Sequence, residues 1–177
     1  GHIAISDVSF ADIDLALWRQ KIGYLHQKPE FLPGTIASNL RLASPDASES
    51  ELWRVLQAVG LADFVTKQQL QLQHPLIDNG SNLSGGQQQR LAMARLLLAD
   101  YPILLMDEPW VHLDDENAAE LIQLVRRLSS GRTLILVSHQ TENLDWISNR
   151  FSLETKEPAN KEAIENNIKA KSEASDV

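Results

Sequence analysis

Leu83-Ser84-Gly85-Gly86-Gln87 runs directly into Gln88-Gln89-Arg90-Leu91-Ala92-Met93-Ala94-Arg95, whose pattern predicts a helix. A serine and two glycines at a helix start leave backbone N–H groups open, with no side chains in the way. The helix dipole brings its positive end to the same spot. Ser84, Gly85, Gly86 and Gln87 therefore form a candidate anion site, suited to a nucleotide phosphate. Further on, Ile103-Leu104-Leu105-Met106-Asp107-Glu108 reads as a buried strand that ends in two acids. Asp107 at a strand end can hold Mg²⁺ directly or through water, and Glu108 can polarise a water for attack on a phosphoryl group. Two acids in a strand-to-helix loop also serve as helix caps, and the pair alone leaves both uses open.

Three more residues fit the same chemistry. His139 follows a second apolar run and Ser138, where an imidazole could reach a γ-phosphate. Gln27 ends a strand-like stretch before Lys28-Pro29-Glu30, and its amide can contact Mg²⁺ or an attacking water. Asp114, with Asp115 and Glu116, reads as an acidic first helical turn favoured by the dipole. His2, His26, His74 and His112 show no metal-ligand spacing and receive no role.

The elements that must position these groups are legible by period. Residues 1–27 read as β-rich, with Ile3 and Ile5 alternating with polar neighbours and a short helical turn at 16–20. Pro29, Pro33 and Gly34 then break the chain. Ser48 and Glu51 form a capping box before Leu52, Val55, Leu56 and Val59, with Gly60 as the stop. Residues 66–82 are Gln-rich and loop-like. The helix after Ser84 carries Leu91, Ala94, Leu97 and Leu98 on one face. Residues 103–106 are continuously apolar, as in a parallel strand covered on both sides. Ala118, Leu121, Ile122, Val125 and Leu128 mark a further helix ended by Gly131, and Thr133–Val137 a second buried strand. Alternating helices and buried strands predict a parallel α/β sheet, with ligands at the carboxyl ends of its strands. Glu108 and His139 both fall there. From 154 to 177 the chain is polar and lacks aromatics, which predicts a disordered tail or a marginal helix. No internal repeat is visible.

Composition narrows the class. The chain has 177 residues, 43% hydrophobic and 23% charged, enough for one domain with a core. No apolar run approaches the roughly 18 residues of a membrane span, and no secretory signal opens the sequence. There are no cysteines, so disulfides and thiolate metal sites are excluded. A net charge of −8 argues against a general nucleic-acid-binding surface.

Taken together, the Ser84–Gln87 segment and the Asp107-Glu108 strand end resemble the signature and Walker B motifs of ATP-binding cassette (ABC) ATPases. The resemblance covers about residues 1–150. It implies a P-loop-NTPase-like parallel sheet flanked by helices, with an α-helical signature lobe at about 35–98. It implies Asp107 as the Mg²⁺-organising acid, Glu108 as the catalytic base and His139 as the switch histidine. Gln27 matches the Q-loop glutamine, which serves both Mg²⁺ and the attacking water, and Asp114 the D-loop acid. Val111 and His112 depart from the Ser-Ala of the usual D-loop, which puts its hydroxyl contact across the dimer in doubt. Residues 31–40 resemble the stretch after the Q-loop of ABC exporters. Phe31, Leu32 and Ile36 are then candidates for an apolar surface that receives a loop of the membrane domain, or else they fill the core. Asp78-Asn79-Gly80 resembles the acidic loop that exporters place before the signature.

No Gly-x-x-x-x-Gly-Lys-Ser/Thr occurs. The family carries this Walker A loop upstream of the strand matched by residues 1–5, so a domain truncated at its N-terminus is expected, inactive as these 177 residues alone. By resemblance the cofactors are ATP and Mg²⁺. The partners are a second ABC ATPase domain, identical or different and paired head to tail, and the transmembrane domain of an exporter; nucleic acid is not expected. The implied location is the cytoplasmic face of the plasma (inner) membrane. A soluble ABC-type ATPase acting on nucleic acid or ribosomes, a non-hydrolysing partner domain and an inert fragment are the alternatives.

Overall fold

The computed structural model describes residues 4–5, 8–111, 113–140 and 142–152. Ile3, His112 and the tail expected at 154–177 lie outside the described residues. The N-terminal segment holds an antiparallel pair, β1 (Ala4–Ile5) and β2 (Val8–Ser9), then a short helix α1 (Leu15–Arg19) and strand β3 (Ile22–Leu25). A lobe of short elements follows: β4 (Gly34–Thr35), α2 (Ile36–Arg41), α3 (Glu49–Ala58), α4 (Ala62–Lys67) and β5 (Pro75–Leu76). The long helix α5 (Gly85–Ala99) leads back to β6 (Ile103–Asp107), α6 (Asp115–Leu128) and β7 (Thr133–Val137). By packing, Gly1–Trp146 forms one unit and Ile147–Val177 another.

The α/β expectation holds. β3, β6 and β7 form a parallel sheet in that order, with Leu25 opposite Met106 and Met106 opposite Leu136. The face carrying Leu25, Leu104 and Met106 is fully buried, and each such side chain is worth about 1.5–3 kcal/mol as an upper bound. The expectation that β6 is covered on both sides fails. Tyr24, Leu105 and Ile135 share one register row on the opposite face, and Tyr24, Ile135 and Val137 are exposed. A continuous apolar run shows that a strand can be covered twice; among the described residues only one face is.

The helices follow local rules. Ser48 and Glu51 make the expected capping box on α3, and Gly60 ends that segment at φ 74°. α6 is amphipathic, with Asp115 and Glu116 in its first turn and Arg126 and Arg127 in its last, as the dipole favours. α5 departs from its one-face reading. Gln89, Leu91, Ala92, Met93, Ala94 and Leu96 are buried, whereas Leu97 and Leu98 are only partly so. It is a central helix, packed on more than one side. Two features of the lobe escaped the sequence pattern. Thr35 and Ser38 cap α2 with a second capping box, and β4 pairs antiparallel with β5 inside the supposed 66–82 loop.

Phe31 and Ile36 are core residues, at 4% and 1% exposure, so the expected apolar surface shrinks to Leu32, at 57%. Phe31 is held from three directions. Its N–H donates to Asn79 Oδ1 at 2.5 Å, the Arg95 guanidinium lies 4.6 Å over its ring, and Gly80 backs onto the ring. A Cβ at Gly80 would sit 2.9 Å from Phe31, and the backbone there has φ 77°, so only glycine fits. Phe31→Leu is expected to cost about 1–2 kcal/mol, from ring packing and the lost cation–π contact together. Urea unfolding would measure it; an unchanged midpoint would return Phe31 to the surface.

Candidate functional site

The sheet brings the strand-end groups together. β3 and β6 are in register, so Gln27 and Glu108 each lie two residues beyond the paired Leu25 and Met106. His139 lies two beyond Val137, the last residue of β7 and the partner of Asp107. Glu108 is buried and has φ 44°. A non-glycine residue in that region costs about 1–3 kcal/mol and persists only where its surroundings enforce it. Here the Glu108 N–H donates to the Val137 carbonyl at 2.9 Å, and its Oε1 accepts the His139 N–H at 2.7 Å. The His139 ring is almost wholly exposed, with Nε2 3.5 Å from the same carboxylate oxygen. The acid is thus fixed by backbone, while the imidazole beside it is open to an incoming group.

A second link was not anticipated. Trp110 is fully buried, and its Nε1–H donates to Ser138 Oγ at 3.0 Å; that oxygen also accepts the Gln140 N–H at 3.0 Å. Trp110 and Ser138 therefore latch the end of β6 to the end of β7. The sequence signal was only the place of Trp110, one residue past Glu108-Pro109.

Asp107 closes β6 on the open face, in line with Leu105. The Gln27 side chain is exposed. Asp107 and Gln27 offer hard oxygen donors, which suits Mg²⁺, an ion that keeps several waters and takes one or two protein groups plus phosphate. Among the described residues, no three His, Asp or Glu side chains converge as a full metal cage.

The start of α5 is a separate cluster. Ser84 Oγ accepts the Gln87 N–H at 3.2 Å, and Gln87 Oε1 accepts the Ser84 N–H at 2.9 Å, a capping box. The Gly85 and Gly86 amides precede the first intrahelical bond, which runs from the Gln88 N–H to the Ser84 carbonyl. Among the described residues, a Cβ at Gly85 would meet Leu113 at 4.0 Å, and the nearest neighbours of one at Gly86 would be Asn117 and Leu113 at 3.7 Å. Packing among the described residues does not demand glycine at either place. Leu113 and Asn117 belong to the segment of Asp114, so that acid stands beside the helix start. Asp114 caps α6, accepting the Asn117 N–H at 2.9 Å and the Asn117 side-chain amide at 2.8 Å. These two bonds hold its carboxyl below the ordinary value, although it is exposed. Among the described residues no hydrogen bond joins Ser84–Gln87 to Glu108 or His139: the sites anticipated from sequence form two clusters, not one.

The clusters are joined through α5. Arg95 donates to the Glu30 carbonyl at 2.7 Å, the Asn39 carbonyl at 3.0 Å and Asn39 Oδ1 at 2.6 Å. Burial lowers the pKa of its guanidinium. Asn39 is itself buried and donates to the Leu32 and Thr35 carbonyls. Gln89 donates to the Gln27 carbonyl at 2.9 Å. Nothing local marked Gln89, one of three consecutive glutamines, whereas Arg95, a charge within the apolar run 91–98, was an available sign.

The ABC transporter family model matches residues 1–111. The ATP-dependent lipid A-core flippase of Neisseria meningitidis serogroup A / serotype 4A is 39% identical over 145 residues, covering 82% of this chain and 23% of that protein. The glutathione/L-cysteine transport system ATP-binding/permease protein CydD of Escherichia coli K12 is 33% identical over 147 residues, with 82% and 25% covered. A bacterial Atm1-family ABC exporter solved with ATP bound superposes with a TM-score of 0.71 at 29% identity, over 79% of this chain and 24% of that one. The chain thus spans about a quarter of the length of these relatives.

Proposed function

The chain belongs to the ABC transporter family, and from that premise we propose that it serves an exporter as part of its ATPase domain, powering transport by ATP-driven pairing of two such domains. The observation that carries this is the buried Glu108 carboxylate at the end of β6, bonded to the His139 N–H at 2.7 Å. It is held where a water could be activated. In this reading Glu108 takes the proton from the attacking water and His139 contacts the γ-phosphate. Gln27 orients that water and, with Asp107, holds Mg²⁺. Bound Mg²⁺ would offset the charge on the β- and γ-phosphate oxygens. Ser84, Gly85, Gly86 and Gln87 contact the ATP seated on the partner domain, with Asp114 beside them. Two clusters without a direct bond between them fit a domain that serves two different nucleotides.

Exporter-type transport is favoured by the relatives, which include a flippase and an Atm1-family exporter; the Phe31 surface no longer supports it. Among the described residues no helix is long and apolar enough to cross a membrane. In this proposal a transmembrane domain supplies the span, and the chain works at the cytoplasmic face. The test is ATP turnover by the intact protein in lipid vesicles; a protein that never hydrolyses ATP would reject the reading.

The Walker A loop required by such chemistry is absent from the 177 residues. Calorimetric titration of this chain alone is therefore expected to give a Kd for Mg-ATP of about 1 mM or weaker. Micromolar affinity with steady turnover would show another phosphate cradle.

A further inference from the structure

Glu108, Pro109 and Trp110 are buried in succession past the end of β6. Trp110 is the largest fully buried side chain among the described residues. A buried indole N–H needs an acceptor, and a backbone carbonyl would serve. Here the acceptor is a side chain, Ser138 Oγ at 3.0 Å, one residue before His139. The same oxygen accepts the N–H of Gln140, one residue after His139, at 3.0 Å. A hydroxyl oxygen has two lone pairs, and both are taken. His139 is thus bracketed by two residues tied to one atom, and that atom is tied to Trp110. On the other strand Trp110 stands two residues past Glu108, with the fixed φ of Pro109 between them. The bond therefore closes a ring around the contact of Glu108 Oε1 with the His139 N–H, which meet at 2.7 Å.

We propose that Trp110 and Ser138 are positioning residues, whose bond holds the Glu108 carboxylate and the His139 backbone in the arrangement that turnover needs before ATP arrives. The inference rests on the proposed function, in which Glu108 is the base and His139 contacts the γ-phosphate. Glu108 needs such support, because its φ of 44° persists only where the surroundings enforce it. On the strand side, its N–H is held by the Val137 carbonyl at 2.9 Å. The indole holds the other side, where the chain leads on to α6. Without that hold, residues 109–111 can relax the strain at Glu108 and carry its carboxylate away. A displacement of about 1 Å costs on the order of 10²-fold in rate. Neither Trp110 nor Ser138 contacts ATP in this reading, so binding is spared.

The experiment compares the intact protein with its Ser138→Ala, Ser138→Thr, Trp110→Phe and combined Ser138→Ala/Trp110→Phe forms. Ser138→Ala should lower kcat about tenfold or more. Its ATP affinity measured without turnover should stay within about twofold, because no ATP contact is removed. Hydrogen exchange at residues 138–140 should quicken. Ser138→Thr keeps the oxygen and should turn over nearly as the parent does. The combined form should be no slower than the poorer single form, because both changes break one bond. Multiplied losses in the combined form would overturn the inference. So would a normal kcat in folded Ser138→Ala, which would make the bond one of packing alone, and the proposed function would stand. Equal losses in Ser138→Ala and Ser138→Thr would also overturn it, by assigning the effect to the shape of the turn and not to the oxygen. Should Trp110→Phe fail to fold, the two Ser138 forms decide alone. An unaltered protein without turnover would count against the proposed function, and the inference would fall with it.

Discussion

Glu108→Gln is expected to lower ATP turnover of the intact protein by about 10²–10⁴-fold, the usual worth of a general base. ATP binding should persist. The substitution keeps the shape and an acceptor oxygen for the His139 N–H, which Glu108 Oε1 receives at 2.7 Å. It therefore leaves the strand-end geometry in place and removes only the proton-accepting charge. Glu108 also carries the φ 44° backbone, and a shape-preserving change avoids releasing that strain, so lost turnover can be assigned to chemistry. Steady-state phosphate release gives the rate and equilibrium dialysis the binding. Near-normal turnover would remove Glu108 from the reaction.

Gly85→Trp is expected to weaken ATP-driven pairing by about 10²-fold or more, as a bulky group at the centre of an interface does. The fold should survive, because the nearest neighbour of a Cβ there is Leu113 at 4.0 Å and the position opens to solvent. Gly85→Ala is the matched control and should pair almost normally. Sedimentation of the Glu108→Gln form with Mg-ATP reads the difference, since that form holds ATP without consuming it. Undiminished pairing by Gly85→Trp would make the helix start a structural turn and nothing more.

Most of what positions the site was legible from local chemistry. Ser48/Glu51 announced one helix start by capping and Ser84-Gly85-Gly86 another by its open backbone, and the apolar runs before Glu108 and Ser138 announced β6 and β7 by length and composition. The parallel sheet then followed, and with it the placement of Glu108 beside His139. What was not legible depended on partners distant in sequence. Phe31, in a segment broken by prolines, reads equally as a surface anchor or as core, and it is Asn79, Gly80 and Arg95 that fix it in the interior. Gln89 and Asn39 are polar types, and nothing local states that a carbonyl or a guanidinium will meet them in the interior. The Trp110 bond to Ser138 joins two strand ends 28 residues apart. The open face of β6 is a matter of what packs against it, which no strand encodes in itself.

If Glu108 of one copy and Gly85 of another serve the same ATP, mixing two inactive forms should restore turnover. Intact protein carrying Glu108→Gln is combined with intact protein carrying Gly85→Trp, and phosphate release is followed as subunits exchange. Head-to-tail pairing gathers both defects into one site of the mixed pair and leaves the other site with an unaltered Glu108 and an unaltered Gly85. Turnover should rise clearly above that of either form alone. If each copy used its own Glu108 and its own helix start, every site in the mixture would carry one defect, and turnover no higher than the parents' would rule out a site shared between copies.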